Sequence, residues 1–337
     1  MPRKPRVEYA GAIYHVMSRG NRGDPIYRDG RDCETFLDTL DEACGRTGWR
    51  IHAFVLMGNH YHLLLETPEA NLVAGMKWLQ GTYTQRFNAR HKLWGHLLQG
   101  RYKAIPVDRD AGGGYFPTVA NYIHLNPVRT KVFDLGQEKL VDYRWSSYPL
   151  YLRPSKRPEW LVVDRVLGAL GAGDDRAGRE WYRKHMQKRV LEIAGNDTPR
   201  ESDPAWDKIR RGWFFGSDDF RRELMVRIDD GLKGKRASSF SGEAIREHNE
   251  AEADKLIVQG LGKLGVLPGQ LEGMRKGAPA KMALAWLVKK KTVVRNEWIS
   301  ERLSCGHPAN IPGYVRRVEL ADGGQLAELK EILKSED

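Results

Sequence analysis

Two histidines flank a tyrosine in the run Gly58-Asn59-His60-Tyr61-His62-Leu63-Leu64-Leu65. The run is apolar enough to be a β-strand, and alternate side chains of a strand share a face. His60 and His62 would therefore point the same way, close enough to hold one ion between two neutral imidazoles, the commonest side-chain metal ligands. Tyr61, Leu63 and Leu65 fall on the opposite face, where a core takes them. Two half-exposed histidines on an ordinary strand would give the same pattern, and a metal site needs a third ligand. A second stretch supplies a candidate. Tyr115 to Arg129 reads as a helix stopped by Pro127, with Val119, Ala120 and Ile123 as its apolar stripe. Tyr122 and Asn126 are four apart and share another face. A phenol oxygen and an amide oxygen could thus both be aimed at an ion held by the histidine pair. Because Pro127 disfavours helical geometry in the residue before it, Asn126 is expected in the last turn or at the cap.

The order of these motifs resembles a known family. Gly58-Asn59-His60-Tyr61-His62 followed by Tyr122-Ile123-His124-Leu125-Asn126-Pro127-Val128-Arg129 is similar to the His-hydrophobic-His (HUH) single-strand transposases, and within them to the REP-associated tyrosine transposases. Three further pieces agree: His15-Val16-Met17-Ser18-Arg19-Gly20-Asn21-Arg22, Gln99-Gly100-Arg101-Tyr102-Lys103-Ala104 and Trp145-Ser146-Ser147-Tyr148. The likeness covers roughly residues 7 to 152. It implies a metal-dependent DNA nuclease and strand transferase acting on single-stranded, hairpin-bearing repetitive DNA, with Tyr122 as nucleophile. It also implies a polar third ligand one turn after the nucleophile, which here is Asn126 where the family more often has glutamine. His124, on another side of the helix, would then be a helper or a substrate contact.

The chemistry follows from the residue types. A phenol with its ordinary pKa of about 10 is a poor nucleophile near neutrality. A divalent ion polarising the scissile phosphate makes its attack feasible. The resemblance implies a 5′-phosphotyrosine and a free 3′-hydroxyl, with the bond energy kept in the covalent link, so that rejoining needs no ATP. The expected ion is Mg²⁺ or Mn²⁺: imidazole leans towards the softer ion, phosphate oxygens and abundance towards Mg²⁺. Arg19, Arg22, Arg101, Lys103 and Arg129 are candidates for phosphate contacts, although each would also be at home as a solvated surface cation. Two other classes fit parts of the pattern. One is a zinc hydrolase using His60, His62 and a third histidine. The other is a DNA-binding regulator whose catalytic site is vestigial.

The elements that must position these groups can be read from periodicity. Strands are predicted at 11–18, 50–57, from His60 to Glu66, and at 101–107, with helices at about 30–47 and 68–90. Gly58-Asn59 reads as a hairpin connection. The order β-α-β-β-α-β is that of a ferredoxin-like (RRM-like) split motif, an α+β antiparallel sheet with helices on one face. The Tyr122 helix is then an addition, and the resemblance implies the same fold.

A proline- and cation-rich run, Arg153 to Pro158, suggests a domain boundary, giving a catalytic domain over 1–152. A helical, basic-aromatic region over 153–235 and an all-α domain over 236–337 would follow. In the second region, Trp206, Trp213, Phe214, Phe215 and Phe220 among arginines could stack bases or fill a helical core. Lys233 to Ser241 reads as a linker. In the third, helices at 280–290, 296–303 and 311–318 resemble a helix-turn-helix whose last helix would present Arg316 and Arg317 to DNA.

The 337 residues carry 55 lysines and arginines against 44 acidic residues, a net charge of +11, which favours a polyanion partner. Three cysteines are too few and scattered for a disulfide framework. The basic start, Met1 to Arg6, is no signal peptide, and no run is apolar enough for a membrane span. A monomer or homodimer, cytoplasmic and nucleoid-associated, is the expectation.

Overall fold

The computed structural model describes residues 7–109, 114–130, 132, 138–195, 205–232 and 242–334. Among these, two compact units divide between Glu223 and Leu224. The basic arm at 1–6 and the linker expected at 233–241 lie outside the described residues, as does the boundary expected at 235/236.

The first unit is built on four antiparallel strands, β1 (Ala12–Arg19), β2 (Arg50–Met57), β3 (His60–Thr67) and β4 (Lys103–Val107), in the order β2-β3-β1-β4. This is the ferredoxin-like arrangement predicted from the sequence. Between β1 and β2 lies α1 (Gly30–Thr47), and between β3 and β4 lies α2 (Leu72–His91). The Asp29 carboxylate caps the first turn of α1, and Gly48, at φ 69°, ends it in the left-handed conformation that glycine adopts without strain. Both helices pack on the Tyr61 face of β3. Phe36 of α1 sits 4.9 Å from the Tyr61 ring and 5.1 Å from that of Tyr83 on α2. Tyr61, Phe36 and Tyr83 are essentially fully buried, and burying side chains of this size stabilises the fold by about 1.5–3 kcal/mol each.

The histidine face of the sheet is covered by α3 (Tyr115–His124), which packs on β2 and β3 and continues through Leu125 into the single turn α4 (Asn126–Arg129). Asn126 therefore begins a helical turn rather than ending one. Proline is tolerated in a first turn, where its missing N–H has no intrahelical partner to lose. With helices on both faces, β2 and β3 are buried along almost their whole length, which is why β2 alternates less clearly than a half-exposed strand.

Both sheet edges are closed by later chain. Trp145 and Ser147 bond to the backbone of Leu56 and Phe54, and Trp160 and Val162 bond to Ile51, covering β2. Phe215 bonds to Pro106 and Asp108 at 2.9 Å each, extending the sheet beyond β4. An exposed edge is a template for unwanted pairing, and this arrangement removes both. The same unit holds α5 (Tyr148–Leu152), α6 (Asp164–Ala169), α7 (Arg176–Ala194) and α8 (Trp206–Arg211), while α9 (Asp218–Leu232) runs across the division between units. In the basic-aromatic stretch, Ile209, Phe215 and Phe220 are buried, whereas Trp213 and Phe214 are half-buried.

Behind α3 lies a buried polar network. His124 is fully buried, with Nδ1 2.8 Å from the Tyr182 hydroxyl of α7 and Nε2 2.7 Å from Ser147 Oγ. Ser147 Oγ in turn accepts from Phe54 N, and the Tyr182 hydroxyl donates to Asn121 Oδ1. His124 thus ties the helix to β2 and α7 from behind and does not face a substrate.

The second unit is all α-helical: α10 (Glu243–Lys263), α11 (Gln270–Gly273), α12 (Pro279–Lys291), α13 (Asn296–Arg302), α14 (Asn310–Glu319) and α15 (Gly324–Lys334). Its core is centred on α12, whose Leu284, Leu287 and Val288 share one apolar cluster with Ile257, Ile299, Ile311, Val318 and Leu333. Lys281 is buried and donates from Nζ to the carbonyls of Ser304 (2.8 Å) and Met274, fixing the turn before α14. Pro312 lies in the first turn of α14, again a position that tolerates it. Arg316 and Arg317 are exposed on that helix.

Candidate active site

The β2–β3 hairpin turns through Gly58-Asn59 and delivers His60 and His62 to one face at the start of β3. Register does the rest: Arg19 lies opposite His60 and Met17 opposite His62, so alternate residues of β1, including His15, share the histidine face. From the other side, α3 and α4 bring in Tyr122 and Asn126. A cleft of about 570 Å³ results, lined by His60, His62, Tyr122 and Asn126. Arg19, Arg101, Lys103 and Arg129 line it too. Of the sequence-predicted residues of this unit, Arg22 does not: it sits exposed in the short turn Asn21–Gly23. Arg316 and Arg317 belong to the helical unit.

The His60 and His62 rings are 5.2 Å apart and nearly perpendicular. Tyr122 is buried, its ring 5.7 Å from that of His62. Arg129 is buried as well, its guanidinium 4.9 Å above the Tyr122 ring and donating to the Tyr122 carbonyl at 3.0 Å. It clamps the tyrosine as well as lining the cleft. Asn126 Oδ1 is buried and meets no donor in hydrogen-bonding geometry, although the amide lies close enough to His60 to favour its protonated form.

Sequence reasoning gave no role to several residues of the site, Asn59 among them. His15 is fully buried, with Nε2 2.8 Å from His62 Nδ1 and Nδ1 3.1 Å from the Ile209 carbonyl. Gln99 lines the cleft from the loop before β4, and Arg210 and Arg211 line it from α8. A period-two reading of β1 would have placed His15 and Arg19 on one face. Nothing local marks Arg210 and Arg211, which reach the site only because Ile209 is buried in the core and Phe215 pairs with β4.

Burial holds these imidazoles neutral. It pushes His60 down to about 4, against the opposing effect of the Asn126 amide and with Arg210 and Arg19 adding to the depression. It pushes His15 down to about 3, and His62 well below the ordinary range with help from His15, His60 and Arg210. His124 is lowered to about 3 by burial alone. The unfolded chain takes up protons near pH 6.5 where the folded chain does not. Stability is therefore full above pH 6.5 and falls as the pH drops towards about 3. His124 alone should contribute a loss on the order of 2 kcal/mol between pH 7.5 and 5. Urea denaturation at the two pH values checks this; equal midpoints would contradict it.

Two neutral imidazoles and an unpartnered buried amide oxygen form a nitrogen–oxygen donor set that suits a divalent cation, with room in the cleft for phosphate oxygens to complete it. Among the described residues, no group of three His, Cys, Asp or Glu side chains is gathered to hold an ion without such help. A third histidine is nearby, but both nitrogens of His15 are engaged by His62 and Ile209, so it is not an open ligand.

Residues 8–126 match the family model described as "Transposase IS200 like". This part of the chain is similar to the IS200-like transposases. The match ends at Asn126, so it takes in His60, His62 and Tyr122 but not Arg129, Arg210 or Arg211. One solved structure similar to the chain is of a REP-associated tyrosine transposase bound to a REP hairpin. It is 15% identical, with a TM-score of 0.37, over 49% of this chain and 93% of that one. No curated protein matches the chain. Among the described residues, no helix is long and apolar enough to cross a membrane.

Proposed function

We propose that the chain is a divalent-metal-dependent endonuclease and strand transferase for single-stranded, hairpin-bearing repetitive DNA, working through a 5′-phosphotyrosine at Tyr122. The observation that carries this reading is the single cleft lined by Tyr122, His60, His62 and Asn126 and rimmed by cations, within a chain whose residues 8–126 are transposase-like. His60, His62 and Asn126 would hold Mg²⁺ or Mn²⁺. Such an ion supplies Lewis-acid stabilisation of the charge that develops on the phosphate.

The chain's own residues do the remainder. Arg129 fixes the Tyr122 ring and backbone, so that the phenol is oriented before substrate arrives. Arg19, Arg101 and Lys103 offer positive charge to the phosphates flanking the scissile one. Attack by Tyr122 Oη on phosphorus breaks the bond to O3′ and leaves a free 3′-hydroxyl on one fragment. The other fragment is held through its 5′-phosphate, ready for the reverse step on a new 3′-hydroxyl. With one such tyrosine per chain, each chain carries one covalent link. The test is incubation with Mg²⁺ or Mn²⁺ and 3′-labelled single-stranded hairpin DNA from the flanks of the chain's own gene, followed by a denaturing gel. Label migrating with the protein is expected; label in free fragments alone would point to hydrolysis instead.

The helical unit would read DNA. Its support is α12, α13 and α14 in helix-turn-helix order, with Arg316 and Arg317 exposed on the last. Replacing both with alanine in the full chain should weaken hairpin binding and reduce the slope of log K against log salt by about one per lost phosphate contact. Salt titrations that superimpose on those of the unaltered chain would assign this unit another task.

A further inference from the structure

Each of the two candidate histidine ligands is held from behind by a hydrogen-bond relay that ends on a backbone carbonyl. A carbonyl only accepts, so it dictates where every proton in its relay must be. Behind His62, the Ile209 carbonyl lies 3.1 Å from His15 Nδ1, which must carry the hydrogen. Neutral His15 then has its lone pair on Nε2, 2.8 Å from His62 Nδ1, and that nitrogen must be the donor. His62 is left with its lone pair on Nε2. Behind His60, the Gly23 carbonyl accepts from Asn59 Nδ2 at 2.9 Å, which fixes the orientation of the amide. Asn59 Oδ1 faces His60 Nδ1 at 2.8 Å, so Nδ1 carries the hydrogen and Nε2 again keeps the lone pair.

We infer that His15 and Asn59 are positioning residues that set both cleft histidines in the Nδ1–H tautomer and present two Nε2 lone pairs beside the unpartnered oxygen of Asn126. Three acceptors on residues that line one cleft repel one another and suit a cation. The inference deepens the metal-dependent reading above and rests on it for its consequence, though not for its geometry.

The relay also gives the chain beyond the transposase match a part in the site. Ile209 belongs to α8, and α8 is anchored on both sides. Lys103 of β4 donates to the Arg210 carbonyl, and Phe215 pairs with Pro106 and Asp108. Beyond it the Asp108 carboxylate accepts from Ser217 N at 3.0 Å and Oγ at 2.6 Å. Residues 205–217 are thus docked along β4 and under the active site, and one of their carbonyls sets the protonation pattern of a ligand on β3. Imidazole ligands depend on such outer partners for orientation, and losing one typically costs 10–100-fold in metal affinity.

The test uses the full chain with histidine ¹⁵N labelling and long-range ¹H–¹⁵N correlation spectra, without metal, at pH 7.5. His60 and His62 are expected to carry their hydrogen on Nδ1. A hydrogen on Nε2 of either would overturn the assignment for that residue, whether or not the chain proves to bind metal. His15→Phe keeps the ring volume but removes both nitrogens, and His15→Gln restores an acceptor near the Nε2 position. In titrations with Mn²⁺ alone, followed by its electron spin resonance, His15→Phe should bind about 10–100-fold more weakly and His15→Gln should recover most of the loss. Equal affinities for His15→Phe and the unaltered chain, or a His15→Gln no better than Phe, would reduce His15 to packing. If His15→Phe does not fold, the tautomers of the unaltered chain decide. An unaltered chain that shows both Nδ1–H tautomers yet binds no Mn²⁺ would keep the relays and overturn the metal-dependent reading instead.

Discussion

Tyr122→Phe should form no protein–DNA adduct and no nicked product, a loss of cleavage to background, while binding hairpin DNA within about twofold of the unaltered chain. Phenylalanine keeps the ring beneath Arg129 and beside His62, so the packing of α3 is retained. What disappears is the oxygen proposed to attack. Binding rests on phosphate charge and base stacking, neither of which needs that hydroxyl. Metal affinity should also persist, because both imidazoles and Asn126 remain. Other tyrosines serve as internal controls. Tyr61 lies buried on the opposite face of the sheet, bonded to Gln80, and Tyr83 donates to the Ile26 carbonyl at 2.5 Å. Cleavage surviving in Tyr122→Phe would mean that water, not the phenol, is the nucleophile.

The double variant His60→Ala, His62→Ala carries the second large effect. Cleavage should fall by at least about a thousandfold, since removing electrostatic stabilisation of a transition state typically costs 10²–10³ per group. Mn²⁺ binding should be lost with it. The fold should survive: His60 is only half-buried, and both side chains lie at the cleft rather than in the packed layer beneath α1 and α2. Comparing urea midpoints separates a chemical loss from unfolding. Near-normal cleavage in divalent metal would remove the strand pair from the mechanism. Asn126→Ala should give a smaller loss, since the two imidazoles of the proposed ligand set remain.

Much of this was legible in the sequence because it is local. Alternation placed β1 to β4 within one or two residues, and the fixed twofold period of a strand is enough by itself to put His60 and His62 on one face. Spacing of four put Tyr122 and Asn126 together, and that survives the break at Leu125 because the backbone there stays close to helical. What was not legible depends on register and on distant chain. His15 reaches His62 only because β1 pairs with β3 so that Met17 lies opposite His62. Ser147 acts from almost a hundred residues away, bonding to Phe54 and to His124 at once. Arg210 and Arg211 come to the cleft through an edge pairing between Phe215 and β4 that no periodicity announces. The proline-rich run at 153–158 suggested an end to the first domain, whereas the compact unit extends to Glu223. A boundary read from composition registers turns and charge, and is blind to strands and helices that return to the same sheet.

The most direct measurement is peptide mapping of a trapped adduct. The unaltered chain is incubated with Mn²⁺ and 3′-labelled single-stranded hairpin DNA, denatured, digested with nuclease and protease, and the residual nucleotide located by mass spectrometry. The nucleotide is expected on the peptide containing Tyr122, attached through its 5′-phosphate, with a free 3′-hydroxyl on the released fragment. Attachment to Tyr61, Tyr83, Tyr102 or Tyr115, or cleaved DNA with no attached peptide, would contradict the account.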